Sequence, residues 1–228
     1  MKRFPISLGS SINFAVTVQN PSNDDKEISM INVVKMSIGI VVGLLMVCGG
    51  VGAQPSGLSE NLYNLGELKP FDSKLKVKSG QMAPDFTLPS ISGEKITLSQ
   101  YRDKKNVVLS FVPAAWTPVC SGQWPGYIIA KDEFEQGDAV LLGITVDNIP
   151  TLYAWTREMG QLWFKVLSDF WPHGAVADTY GLLRSDGLSE RALVFIDKKG
   201  VIRATMVMDI NKQPDLKACV IELNKLND

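Results

Sequence analysis

Two near-continuous apolar runs separated by a helix-length segment, with a hairpin and a last helix behind them, predict an α/β domain. Its core would be a central mixed β-sheet flanked by helices. The runs are 107–112 (Val-Val-Leu-Ser-Phe-Val) and 139–146 (Ala-Val-Leu-Leu-Gly-Ile-Thr-Val), and their lack of alternation marks strands covered on both faces. The stretch between them suits a crossover helix and hence parallel pairing. The third observation is Asp197-Lys198-Lys199-Gly200, a turn with glycine where positive φ is wanted, between the apolar runs 191–196 and 201–206.

Taken in order, residues 85–89 and 95–98 alternate apolar and polar side chains around Ser92-Gly93 and read as a hairpin. Residues 99–102 suit a short helical turn. After the strand 107–112, a helix is expected over 119–136, with Thr117 as N-cap and Pro118 at the first helical position. Pro125-Gly126 falls inside it, where the missing backbone donor predicts a kink. Beyond the strand 139–146, a helix over 150–159 stops at Gly160. Residues 163–167 form a further strand, and a short helix over 175–180 stops at Gly181. The hairpin of 191–206 and a last helix over 214–226 follow. The order βαβαβ, hairpin, helix matches a thioredoxin-like fold.

The 228 residues are 45% apolar, and 23 basic side chains meet 24 acidic ones for a net charge of −1. That length holds one sizeable domain plus appendages. Near-neutrality excludes the electrostatic footprint of a nucleic-acid binder. One histidine, His173, and three dispersed cysteines, Cys48, Cys120 and Cys219, offer no metal site of recognisable spacing, and no cofactor is implied. His173, placed before a short helix, reads as a capping or interface residue. Trp116, Trp155, Trp163 and Trp171 read as core or subunit-contact residues.

The front of the chain divides into three. Residues 1–29 are mostly polar and read as a disordered or upstream extension, with translation expected to start at Met30 or Met36. Residues 30–53 read as an export signal or membrane anchor, because 36–53 carries no charge and Lys35 precedes it. Val51-Gly52-Ala53 offers the small residues a signal peptidase reads, which favours cleavage after Ala53 and a periplasmic or cell-envelope protein. The alternatives are an uncleaved anchor and lipidation of Cys48, although Val47 is not the small residue a lipoprotein box carries. Residues 54–79 are polar and read as a linker with a short strand at 75–77. The domain proper is expected over 80–228.

The chemistry centres on Pro113-Ala114-Ala115-Trp116-Thr117-Pro118-Val119-Cys120. In the first turn of a helix, unpaired backbone N–H groups and the helix dipole favour an anion, so Cys120 is a candidate thiolate nucleophile. Taken alone, a buried cysteine is more often inert. Thr117 alone could be a helix cap, and Arg191 alone a surface ion-pair partner of Glu190.

The pattern Pro-x-x-x-Thr-x-x-Cys resembles the active-site signature of peroxiredoxins, the AhpC/TSA family, and the chain is similar to them from Gly80 onward. The resemblance implies a thiol-dependent peroxidase that reduces hydrogen peroxide and organic hydroperoxides through a sulfenic acid on Cys120. It implies that Thr117 hydrogen-bonds thiolate and peroxide, that Pro113 shields the site and that Arg191 polarises both. Gln123 falls where the family often supports that arginine.

Cys48 lies in the apolar signal, and Cys219 shares a helical face with Leu216, Val220, Leu223 and Leu226, so it reads as core. Position 125 is proline rather than a resolving cysteine, and no Val-Cys-Pro segment is present. The chain thus resembles one-cysteine peroxiredoxins, in particular the AhpE-like and bacterioferritin-comigratory-type members. These use an external thiol, either a thioredoxin-like protein or a low-molecular-weight thiol. The resemblance also carries the expectation of a homodimer. Two other readings stand beside it. One is a thioredoxin-like thiol–disulfide oxidoreductase of the cell envelope, against which Thr117 occupies the place of the first cysteine of Trp-Cys-x-x-Cys. The other is a non-catalytic thioredoxin-fold binding module.

Overall fold

In the computed structural model, residues 57–227 are described. The expectations for the extension 1–29, the export signal or anchor 30–53, cleavage after Ala53 and Cys48 lie outside the described residues. Among the described residues, no helix is long and apolar enough to cross a membrane.

Strands β1 (Thr87–Pro89) and β2 (Lys95–Thr97) pair antiparallel as the predicted hairpin, and a 3-10 turn follows at Leu98–Tyr101. β3 (Asn106–Phe111), β4 (Ala139–Thr145), β5 (Lys165–Ser168), β6 (Arg191–Ile196) and β7 (Ile202–Met208) form the central sheet in the order β5-β4-β3-β6-β7. β4 runs parallel to β3 and β5, whereas β6 runs antiparallel to β3 and β7. Helices α1 (Pro118–Ile129) and α2 (Lys131–Gln136) connect β3 to β4, and α3 (Ile149–Glu158) connects β4 to β5. α4 (Ala175–Tyr180) follows β5, and α5 (Leu216–Asn224) follows β7. This is the thioredoxin-like order that the pattern of runs predicts.

Every residue of β3 and β6 is buried, so successive side chains load opposite faces of the sheet. Leu109, Phe111, Ala192 and Val194 join one cluster with Leu88 and Ile96 of the hairpin and Tyr180 of α4. Val108, Val112, Leu193 and Phe195 join the other, with Trp124 of α1, Trp155 of α3 and Leu223 of α5. The same alternation puts Arg191, two residues before Leu193, on the face that α1 covers. Gly143 lets α1 come close, because a Cβ there would stand 2.7 Å from Cζ2 of Trp124. Trp124 packs against Trp155 with ring centroids 4.9 Å apart and edge-on against Phe164 at 5.9 Å.

The single helix expected over 119–136 is two. α1 continues through Pro125 to Ile129, and the chain bends between the two helices at Ala130 (φ −88°, ψ 9°). Packing accounts for the place of the bend: Ala130 is buried, and α2 turns Phe134 onto Trp163 with centroids 5.2 Å apart.

Residues 57–79, which composition predicts to be a linker with a strand at 75–77, hold no strand and run against the domain. The backbone N–H of Lys76 donates to the Tyr180 carbonyl at 3.1 Å, and Val77 is buried in the first cluster. The N–H groups of Asp72 and Ser73 donate to Oε1 of Glu190 at 2.7 and 2.8 Å. Asn211 accepts from the Leu68 N–H at 2.9 Å and donates to the Leu68 carbonyl at 2.8 Å. Main-chain hydrogen bonds hold this strap, which is why its polar side chains resemble those of a tether.

Gly181 ends α4 in the left-handed region (φ +73°), and a Cβ there would fall 2.3 Å from the carbonyl oxygen of Lys74. Gly181→Ala is therefore expected to cost about 2–4 kcal/mol in urea unfolding. Gly126, inside α1 with nothing within 4 Å of its added Cβ, gives the opposite sign. There Gly126→Ala should stabilise by about 0.5–1 kcal/mol.

Candidate active site

β3 ends with the Val112 N–H donating to the Ile144 carbonyl at 3.0 Å, and the chain then turns through 113–117 into α1. Asp147 holds this turn: its Oδ2 accepts from the Ala115 N–H at 2.8 Å and from the Thr145 hydroxyl. Trp116 takes a positive φ of 60°, and its carbonyl accepts the Tyr63 N–H at 2.7 Å. Thr117 sits at the N-cap position (φ −106°, ψ 149°) with Pro118 behind it, as expected. Its hydroxyl does not cap the helix, however. It donates to the Ala114 carbonyl at 2.9 Å, which leaves the oxygen's lone pairs free to accept.

Cys120 is the third residue of α1 and is 1% exposed. The first bond of the helix runs from the Ser121 N–H to the Thr117 carbonyl at 2.9 Å, so the N–H groups of Val119 and Cys120 precede the helical ladder. Arg191 faces them from β6. Its Nη2 donates to Cys120 Sγ at 3.4 Å and to the Ile210 carbonyl at 2.9 Å, and Nε adds a longer bond to that carbonyl at 3.3 Å. Nη1 donates to Oε1 of Gln123. The Gln123 amide is oriented in turn, donating through Nε2 to the Tyr127 hydroxyl at 2.9 Å and to the Ser110 hydroxyl at 3.3 Å. Burial holds the Tyr127 phenol well above its usual range, so it stays a neutral partner.

Glu190 is not the partner of Arg191. It turns away from α1 and binds Nη1 of Arg184 at 3.0 Å, both side chains being nearly inaccessible. Among the described residues, Arg191 has no ion pair: its hydrogen-bond partners are a carbonyl, an amide and the sulfur. Among the described residues, Sγ of Cys120 is the one hydrogen-bond partner of this buried guanidinium that is neither a carbonyl nor an amide.

Pro113, Thr117, Cys120 and Arg191 line one pocket of about 290 Å³, together with Asn211 and part of the strap. The structure thus brings the four sequence-derived residues together, and Gln123 behind them. His173 stands apart, with Nε2 bonded to the Gly187 carbonyl at 2.7 Å. Trp155 is core, whereas Trp171 is 83% exposed. Among the described residues, no cluster of side chains could hold a metal ion. Asp147, Asn211 and the Ile210 carbonyl escaped the sequence reading. Asp147 had a signal, an acceptor just past β4 and next to a helix start, whereas a backbone carbonyl has none.

Residues 79–205 match the AhpC/TSA family. The chain belongs to the AhpC/TSA family. It is a peroxiredoxin-type thiol peroxidase. Alkyl hydroperoxide reductase E of Mycobacterium bovis is 41% identical over 125 residues, which cover 54% of this chain and 81% of that protein. The chloroplastic 2-cysteine peroxiredoxin of Chattonella marina var. antiqua is 32% identical over 146 residues, 60% of this chain and 74% of that one. Among solved structures, the reduced 2-Cys peroxiredoxin of Plasmodium vivax gives a TM-score of 0.61 at 26% identity, covering 65% of this chain and 81% of its own. AhpC of Mycobacterium tuberculosis, with a TM-score of 0.61 at 22% identity over 67% and 94% of the two chains, shares the fold. The family match spans Pro113, Thr117, Cys120, Gln123 and Arg191 and begins at the last residue of the strap.

Cys219 is buried in the second cluster and does not line the pocket. Burial, with Asp215 adding to it, pushes its thiol from 9.0 up to about 11. At pH 8 its thiolate fraction is then about 100-fold below that of an unshifted thiol. Native Cys219 is expected to react with N-ethylmaleimide at least that much more slowly than in urea-unfolded protein, as mapped by peptide mass. The native rate should keep rising with pH through about pH 11, where half of the thiol is ionised.

Proposed function

We propose that the protein reduces hydrogen peroxide and organic hydroperoxides by a one-cysteine cycle on Cys120. The observation that carries this reading is the buried Arg191 guanidinium, which has neutral acceptors on two sides and Sγ of Cys120 on the third. The thiolate of Cys120 attacks the distal oxygen of ROOH, so an S–O bond forms while the O–O bond breaks. The products are the sulfenate and ROH, with the hydroperoxide proton ending on the leaving oxygen. Arg191 Nη2 stands where charge passes from sulfur to oxygen and stabilises it through the transition state. The Thr117 oxygen, its own proton engaged by Ala114, accepts from the peroxide and aligns it. Pro113 covers one side of the pocket.

In the second half of the cycle an external thiol attacks the sulfenic sulfur, releasing water and leaving a mixed disulfide. A second thiol then frees Cys120 and departs as the oxidised disulfide. The raised Cys219 thiol supports assigning this task to an outside reductant, a thioredoxin-like protein or a low-molecular-weight thiol. The relative named alkyl hydroperoxide reductase E supports the inclusion of organic substrates. Association as a homodimer belongs to the proposal because peroxiredoxins often pair. So does export with cleavage after Ala53, on the uncharged run 36–53 and the small residues before Gln54. N-terminal sequencing of the exported product should begin at Gln54, and a mature product that retains Met1 would overturn cleavage after Ala53.

Peroxide consumption with dithiothreitol tests the chemistry. Cys120→Ser should abolish it, and Arg191→Ala should lower kcat/KM by about 10²–10³, as for a lost charge-stabilising donor. Absence of cysteine-dependent consumption would sink the enzyme reading in favour of a binding module. Intact mass after one equivalent of peroxide should show oxygen added at Cys120, and an internal Cys120–Cys219 disulfide would refute the one-cysteine cycle.

A further inference from the structure

Residues on both sides of the family match line the pocket: the strap before it, and Ile210 and Asn211 after it. From the strap, Asn64, Leu65, Gly66, Glu67 and Leu68 all line the cavity above Cys120. A peroxide group needs the room of roughly two waters, ~30 Å³ each. Most of the cavity of about 290 Å³ is therefore left for something else. Away from the reactive end, Leu65 and Leu68 on the strap and Pro118, Val119 and Ile210 on the domain give that remaining wall an apolar stretch, with Asn64, Glu67 and Asn211 as its polar members.

Hydrogen bonds within the strap and to the domain hold it in place. The Asn64 side chain accepts from the Gly66 N–H at 2.9 Å, and Gly66 takes φ +76°, so the turn presents Leu65 at the pocket. Asn211 clasps Leu68 through both of its side-chain atoms, as described above. The Ile210 N–H donates to the Pro70 carbonyl at 3.3 Å, one residue from that clasp and on the same residue whose carbonyl receives Arg191. Leu65 is 41% exposed, an apolar side chain at a pocket mouth with nothing yet covering it.

We propose that Leu65 and Leu68, seated by Asn211, form a specificity wall that favours hydroperoxides with an apolar carbon tail over hydrogen peroxide. The inference rests on the peroxidase reading above and adds the residues that choose among its substrates. Hydrogen peroxide gains nothing from an apolar wall, whereas a carbon tail laid against Leu65 and Leu68 leaves water. Asn211 is a positioning residue: it touches the strap and acts through it.

The test compares kcat/KM for cumene hydroperoxide with that for hydrogen peroxide in wild type, Leu65→Ala, Asn211→Ala and the double variant. The ratio should fall about three- to ten-fold in each single variant, on the scale of a partly lost leucine contact. It should fall no further in the double variant than in the more affected single one, because both changes remove the same wall. A ratio unchanged in Leu65→Ala, whose exposed position spares the fold, overturns the proposal, and so does full additivity in the double variant. A second readout needs no peroxide: the rate of Cys120 alkylation by N-phenylmaleimide relative to iodoacetamide, which should fall in the same variants. If wild type consumes peroxide but neither ratio moves, the wall is refuted and the peroxidase reading stands. If wild type consumes none, the peroxidase reading and the substrate choice fall with it, and the alkylation ratio alone decides whether the apolar wall exists.

Discussion

A full positive charge, 1% exposed and bonded to no carboxylate among the described residues, is the constraint around which this domain is arranged. Taking such a charge out of water costs several kcal/mol even after the surroundings relax. Here the offset comes from oriented dipoles: the Ile210 carbonyl on one side and the Gln123 amide on the other. Each is itself fixed from behind, Gln123 by Tyr127 and Ser110, and the Ile210 backbone by its bond to Pro70. Carbonyls and amides complete the geometry of the guanidinium but leave its charge standing. Sγ of Cys120 fills the remaining side, where the proposed chemistry carries negative charge from sulfur to the leaving oxygen.

The strand that bears Arg191 also separates it from the other deeply buried charge cluster. Glu190 and Arg191 are adjacent, yet they point to opposite sides, and each meets a different partner. Glu190 answers Arg184 with one oxygen and the strap with the other. One dipeptide at the start of β6 therefore anchors the outer wall of the pocket and supplies the cation at its floor. Neutralising Glu190 by pairing it with Arg191, as a surface reading would have it, would leave both tasks undone.

Much of this was legible beforehand, for reasons that can be named. Unbroken apolar runs at 107–112 and 191–196 mark strands buried on both faces, and the period of two then fixes that Arg191 shares a side with Leu193 and Phe195. Thr117 and Pro118 announce the helix start, and Gly181 announces a helix end through its left-handed φ. What was hidden follows a rule too. The direction of the Thr117 hydroxyl depends on a carbonyl three residues back, and the break at Ala130 depends on where Phe134 finds a ring. The strap is bound through its backbone, so its side chains carry the signature of a linker while its main chain is committed to the domain.

The ring stack behind α1 decides who must travel when the sulfur meets its reductant. Trp124 lies one turn after Cys120, close against Gly143 and between Trp155 and Phe164, and Trp155 is pinned by its Nε1 to the Ser121 hydroxyl at 2.9 Å. Swinging the cysteine outward by unwinding its helix would pull these rings into water, a loss on the scale of about 3–5 kcal/mol for a single large aromatic side chain. These rings fix the second turn of α1 directly behind the sulfur. Any exposure of Cys120 to a partner thiol that keeps this stack must then be confined to the first turn and to the loops around the pocket.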